Sequence, residues 1–190
     1  LPVAEFRSGI FYLFPLTGNT FQTHPQVPVQ ISAYTPTFLY NAMIAPLIPY
    51  AIKGAIWYQG EANTGDPRQY RTLFPLMIQN WRQHWGQGDF AFYYVQIAPW
   101  EYGEGTRSQE LRDVQRQCLD VQNSGMAVTL DIGNPQNIHP ANKLDVGKRL
   151  ALWALAKDYK QKTVYSGPLY QRIKIQGDQL KVYFDHCGTG

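Results

Sequence analysis

What most constrains the fold is an order of apolar runs and periodic stretches reading strand, helix, strand, helix, strand, helix between residues 55 and 154. Ala55 to Tyr58 is continuously apolar, as a strand covered on both faces is. Asp66 and Pro67 then supply an N-cap and a first helical residue, with Gln69 completing a capping-box-like start. Tyr70, Leu73, Phe74, Met77, Ile78, Trp81 and Trp85 recur at helical spacing and predict one apolar face, while Pro75 predicts a kink or break. Phe90 to Ile97 reads as a second strand, followed by an exit loop from Ala98 and Pro99 to Ser108. Leu111, Val114, Cys118 and Val121 form the next helical stripe, ended by Asn123 and Gly125. Met126 to Ile132 is the third strand, and Pro140 opens a last helix whose apolar face is Val146, Leu150, Trp153 and Ala154. Strands alternating with helices of this length argue a parallel α/β sheet with right-handed crossovers.

The ends of the chain break this pattern. From about residue 163, Ile173 and Ile175 alternate, Gly177-Asp178 supplies a turn, and Leu180, Val182 and Phe184 alternate back, which predicts a β-hairpin. The first 35 residues carry four prolines and no clear period and read as irregular connection. The organisation expected is therefore a connecting segment 1–35, an α/β domain 36–162, and the start of a β-rich part, 163–190.

Hydrophobic residues at 44% against 16% charged exclude a disordered tail. Seventeen Lys and Arg against fourteen Asp and Glu leave a formal charge of +3 with no basic cluster, so no nucleic-acid partner is expected. No apolar run reaches the roughly 18 residues of a membrane span. Cys118 and Cys187 are too few for a disulfide framework and too far apart for a CxxC motif. An aromatic content of 14% suits either a sugar-facing surface or a large core.

In open parallel sheets ligands bind beyond the carboxyl ends of the strands, so the three strand-exit loops must share one edge. The first carries Gln59, Gly60, Glu61 and Asn63; the second Gln96, Trp100 and Glu101; the third Asp131, Asn134, Asn137 and His139. Amides, carboxylates and a histidine thus converge. Phosphate cradles are absent: there is no GxxxxGK[ST], and Gly103 and Gly105 are followed by Ser108 where a dinucleotide fingerprint needs glycine. His24, His84, His139 and His186 form neither HExxH nor HxH, so neither metal nor another cofactor is expected.

The segments PTFLYNAMIAPL (Pro36 to Leu47), IKGAIWYQGEAN (Ile52 to Asn63), NWRQHW (Asn80 to Trp85), FYYVQIAPW (Phe92 to Trp100), LRDVQ (Leu111 to Gln115) and NIHPANKLDVGKRLALWAL (Asn137 to Leu155) together resemble the bacterial sialate O-acetylesterase family. That family belongs to the SGNH hydrolases, and the resemblance implies a flavodoxin-like parallel sheet with flanking helices. It implies removal of acetyl groups from sugar hydroxyls, with O-acetylated sialic acid as the first candidate substrate and acetyl xylan as the alternative, by serine and histidine without metal. It places the catalytic histidine at His139. It makes Gln59 the first and Asn63 the second choice of oxyanion donor, beside Gly60 and Glu61; Asn63 also fits a plain turn. Glu61 could orient these amides or bind a sugar hydroxyl, and Trp100 could stack on a sugar ring.

Two departures from the family pattern qualify the expectation. The family nucleophile lies in a Gly-Gln-Ser-Asn segment, which this chain lacks; Ser8, Ser32, Ser108, Ser124 and Ser166 stand in other contexts. The chain is therefore expected to be an internal fragment, incomplete on its N-terminal side, inactive alone, and partnered by that missing portion or by a second chain. A non-catalytic sugar-binding fragment is the rival reading. SGNH enzymes also place Asp three residues before the histidine, where this chain has Gln136; Asp131, eight residues before, is the carboxylate candidate, against a dyad in which a backbone carbonyl or Asn137 accepts the histidine proton. The resemblance further implies secretion or a periplasmic location.

Overall fold

A computed structural model describes residues 4–7, 10–13, 32 and 35–188, in two compact units, Leu1–Ala51 and Ile52–Gly190. In the first, β1 (Ala4–Arg7) pairs antiparallel with β2 (Ile10–Leu13), Arg7 standing opposite Ile10. The stretch read as irregular therefore holds a hairpin. The four prolines mask it in sequence, yet both tetrapeptides are proline-free and flank Ser8-Gly9, a pair with turn chemistry. The remainder of that stretch lies outside the described residues, Ser32 and Thr35 excepted. A π-helical turn, Tyr40–Ile44, and a 3₁₀ turn, Ala45–Leu47, follow.

The second unit runs β3 (Gly54–Trp57), α1 (Pro67–Trp85), β4 (Ala91–Val95), α2 (Ser108–Gln117), β5 (Ser124–Ala127), α3 (Lys143–Lys157), β6 (Leu169–Gln176) and β7 (Gln179–Asp185). Strands β3, β4 and β5 form a parallel sheet in that order, with β4 central. Successive β4 side chains point to opposite faces, so Phe92 and Tyr94 pack with Tyr70, Phe74 and Ile78 of α1 and Leu111 and Val114 of α2. Ala91, Tyr93 and Val95 pack with Val146, Leu150 and Trp153 of α3 on the other face. Two-sided cover is the reason that β4 reads as an uninterrupted apolar run. This is the expected α/β sheet with flanking helices, and β6–β7 is the expected antiparallel pair, turning at Gly177 with φ 62°.

Five local expectations change, the first being that β3 lies at an edge of its sheet with Ile56 72% exposed and is not covered on both faces. Helix α1 continues through Pro75. An internal proline costs about 3 kcal/mol, and burial of Tyr70, Phe74 and Ile78 along the same stripe, about 1.5–3 kcal/mol each, exceeds that cost. Strand β5 ends at Ala127 rather than Ile132, because Val128 and Leu130 are exposed. Gly125 lies inside β5 and not at a helix cap; the Trp153 indole sits where a Cβ would stand. Helix α3 begins at Lys143, not Pro140, since Asn142 Oδ1 accepts the Asp145 N–H at 3.2 Å and makes the cap.

Candidate active site

Beyond the end of β3, Tyr58 and Gln59 lead into Gly60, whose φ of 151° is open to glycine and strained for other residues. A Cβ there would stand 2.8 Å from Ile97 Cγ2 and 3.0 Å from Gln115 Nε2, so the turn lies directly against the end of β4. Residues Glu61–Asn63 make one 3₁₀ turn, which brings Asn63 back onto Gln59. Gln59 Nε2 donates to Asn63 Oδ1 at 2.6 Å, and this bond leaves the Asn63 Nδ2 group as a donor not used within the pair. Asn63 also serves the turn itself, its N–H donating to the Gly60 carbonyl at 2.8 Å. The half-buried Glu61 carboxylate raises the pKa of Tyr58, Tyr70 and Tyr102, in each case behind burial as the larger cause. Its charge therefore lies among tyrosines of the first and second loops and α1.

The second loop is tied down from α2. Arg112 Nε donates to the Ile97 carbonyl and Nη2 to the Ala98 carbonyl, both at 3.1 Å. Its guanidinium lies over the Tyr102 ring at 5.9 Å. The half-buried Trp100 meets Tyr102 edge to face, with ring centroids 5.0 Å apart. Glu101 is exposed, and its N–H donates to the Pro135 carbonyl at 2.9 Å, joining the second loop to the third. Arg107 joins it to the first, donating from its N–H to the Thr64 carbonyl and from Nη2 to the Gly65 carbonyl, each at 2.9 Å.

In the third loop, Thr129 Oγ1 donates to the Gln96 carbonyl at 2.7 Å, and the chain then turns outward. Asp131 thus sits four residues past the end of β5, where both carboxylate oxygens accept from Arg149 of α3 at 2.6 Å. These bonds hold the Asp131 carboxyl down to about 2. His139 is exposed, and its N–H donates to Asn137 Oδ1 at 2.9 Å. The ring has no hydrogen-bond partner among the described residues. Lys143, four residues on, places Nζ 4.8 Å over the Tyr58 ring, which holds the start of α3 near the end of β3. Of the residues singled out from sequence, Gln59, Gly60 and Asn63 form one contact group with Glu61 beside them. Trp100 belongs to the adjoining loop, His139 to the third, and Asp131 is engaged with Arg149.

Arg112 and Gln115 were not among the sequence candidates, although Gln115 interrupts the apolar stripe of Leu111, Val114 and Cys118 and could have been noticed for that reason. Among the described residues no three His, Cys, Asp or Glu side chains are placed to hold a metal ion. Among the same residues no helix is long and apolar enough to cross a membrane.

Known proteins resemble this chain in sequence and in fold. A sialate O-acetylesterase of Mus musculus is 35% identical over 160 residues, 72% of this chain and 29% of its own length. That of Rattus norvegicus is 34% identical over 176 residues, 80% of this chain and 32% of its own. The crystal structure of a carbohydrate acetylesterase from Xanthomonas citri superposes with a TM-score of 0.74 at 42% identity, over 81% of this chain and 37% of that one. The chain thus spans about a third of the length of the curated relatives it matches. The family model described as carbohydrate esterase, sialic acid-specific acetylesterase, matches residues 28–156, which takes in the three parallel strands and their exit loops. On that match, together with these relatives, the chain belongs to the sialic acid-specific acetylesterase family of carbohydrate esterases.

Proposed function

We propose that these residues supply the base and the amide donors of an acetylesterase that removes acetyl groups from sugar hydroxyls, with O-acetylated sialic acid as substrate. The observation that carries the reading is the gathering, at the carboxyl edge of one parallel sheet, of the Gln59–Asn63 amide pair and the loop bearing His139. The nucleophile is a serine of a Gly-Gln-Ser-Asn segment, which these 190 residues do not contain. Its Oγ bonds to the acetyl carbonyl carbon while His139 takes the hydroxyl proton. The carbonyl oxygen becomes an oxyanion, and the Asn63 Nδ2 group, which the bond to Gln59 does not use, donates to it. Such a donor contributes about 3 to 4 kcal/mol to the transition state. Collapse breaks the bond to the sugar oxygen, which leaves with the proton from His139; water then repeats the sequence on the acetyl-serine and releases acetate.

Gln59 orients Asn63 in this account, and Glu61 orients the pair or meets a sugar hydroxyl. Trp100 offers an aromatic face to the sugar ring. With both Asp131 oxygens on Arg149, the geometry favours a Ser-His dyad over a triad through Asp131. The family resemblance supports a secreted or periplasmic location. The test is acetate release by the whole protein from O-acetylated sialic acid and, separately, from acetylated xylan. Release from the sialic acid at a kcat/KM about tenfold or more above that for xylan is expected. The reverse order would make xylan the substrate, and release from neither would overturn the esterase reading.

A further inference from the structure

Gln115 lies on α2 with none of its surface exposed. A buried carboxamide is costly unless its polar atoms are paired, and Gln115 pairs its own with the main chain of two strand-exit segments. Its Oε1 accepts from the Ile97 N–H at 3.0 Å. Its Nε2 donates to the Gln59 carbonyl at 3.3 Å and to the Val95 carbonyl at 3.4 Å. The Tyr94 hydroxyl in turn donates to the Gln115 carbonyl at 2.7 Å, which fixes the helix from which the carboxamide reaches. One side chain thus spans the ends of β3 and β4 and holds the residue immediately before Gly60. The Tyr70 hydroxyl, 3.4 Å from the same Gln59 carbonyl, is the second hold.

We infer that Gln115 is a positioning residue for the deacetylation, acting through the main chain at Gln59 and Gly60 to set where the Asn63 amide, oriented by Gln59, meets the reacting carbonyl. The inference rests on the acetylesterase reading and on Asn63 as an oxyanion donor. The Gln59 side chain, which orients Asn63, shares a residue with the carbonyl that Gln115 holds. A displacement there of a fraction of an ångström moves the donor relative to the oxyanion, whereas substrate binding through the sugar is little affected.

Two substitutions in the whole protein separate positioning from simple stabilisation, with kcat counted per folded molecule. Gln115→Glu keeps the shape and the acceptor for the Ile97 N–H but turns a carboxylate oxygen toward two carbonyls. Gln115→Met keeps the length without any polar group. Each is expected to lower kcat by about 10- to 100-fold with KM changed by less than about threefold. Activity of Gln115→Glu relative to the parent should recover as pH falls, because the protonated carboxyl again donates to the Gln59 carbonyl; burial favours that neutral form. Gln115→Met should show no such recovery. Added to Asn63→Ala, Gln115→Met should cost no more than about twofold further, since the two act through one group. A kcat within twofold of the parent in either folded variant, or losses that multiply in full, would overturn the inference. An Asn63→Ala variant with parental kcat would instead overturn the amide reading on which it rests.

Discussion

The side chains of Asp131 and Arg149 form a two-pronged ion pair between the third loop and α3. The carboxyl ionises near 2 in the ion pair, below the value of about 3.9 it has in an unfolded chain. A depressed value means that the pair contributes fully above about pH 4 and loses its contribution as the pH falls toward 2. Asp131 is 62% exposed, so screening by solvent limits the gain to about 0.2–1 kcal/mol. Asp131→Asn is therefore expected to lower Tm by no more than about 3 °C at pH 7, with the difference vanishing near pH 2, and to leave kcat within about threefold. Thermal melts across that pH range and steady-state kinetics check both halves; a fall in kcat approaching 10⁴ would make Asp131 the carboxylate that orients His139.

Elements, unlike side-chain pairs, were largely legible. The three apolar runs became the three parallel strands, β4 under helices on both faces and β3 at an edge of the sheet with Ile56 exposed, and the alternation of Ile173 and Ile175 with Leu180 and Val182 became a hairpin. Boundaries were less so. Val128 and Leu130 extend the apolar run past β5 in sequence, but the Thr129 hydroxyl turns the chain and leaves them exposed. Pro140 looked like the start of α3, while the Asn142 carboxamide, which completes a cap, sets the start three residues later. Position of the candidate loops at one sheet edge followed from the strand order; the Asp131–Arg149 pair did not, since eighteen residues separate partners joined only by the packing of α3. Asn142→Ala removes the cap and is expected to lower unfolding free energy by about 1 kcal/mol, measured by urea denaturation. No change would mean that the Asn142 side chain does not cap α3 in solution.

At the scale of the whole molecule, a central strand buried on both faces carries the parallel sheet, and its neighbours present candidate residues beyond their carboxyl ends. Three loops that differ in sequence are locked to one another through main-chain bonds, with Arg107, Arg112 and Gln115 reaching them from the α2 side. That bracing is what a site assembled from separate segments requires, because Asn63 stands on a single 3₁₀ turn and His139 on a loop. The account stands most directly on His139. In the whole protein, His139→Ala should leave the melting temperature unchanged and lower kcat for acetate release from O-acetylated sialic acid by about 10⁴. A loss smaller than tenfold, in a variant that melts with the parent, would contradict the account and leave His139 without a part in the chemistry.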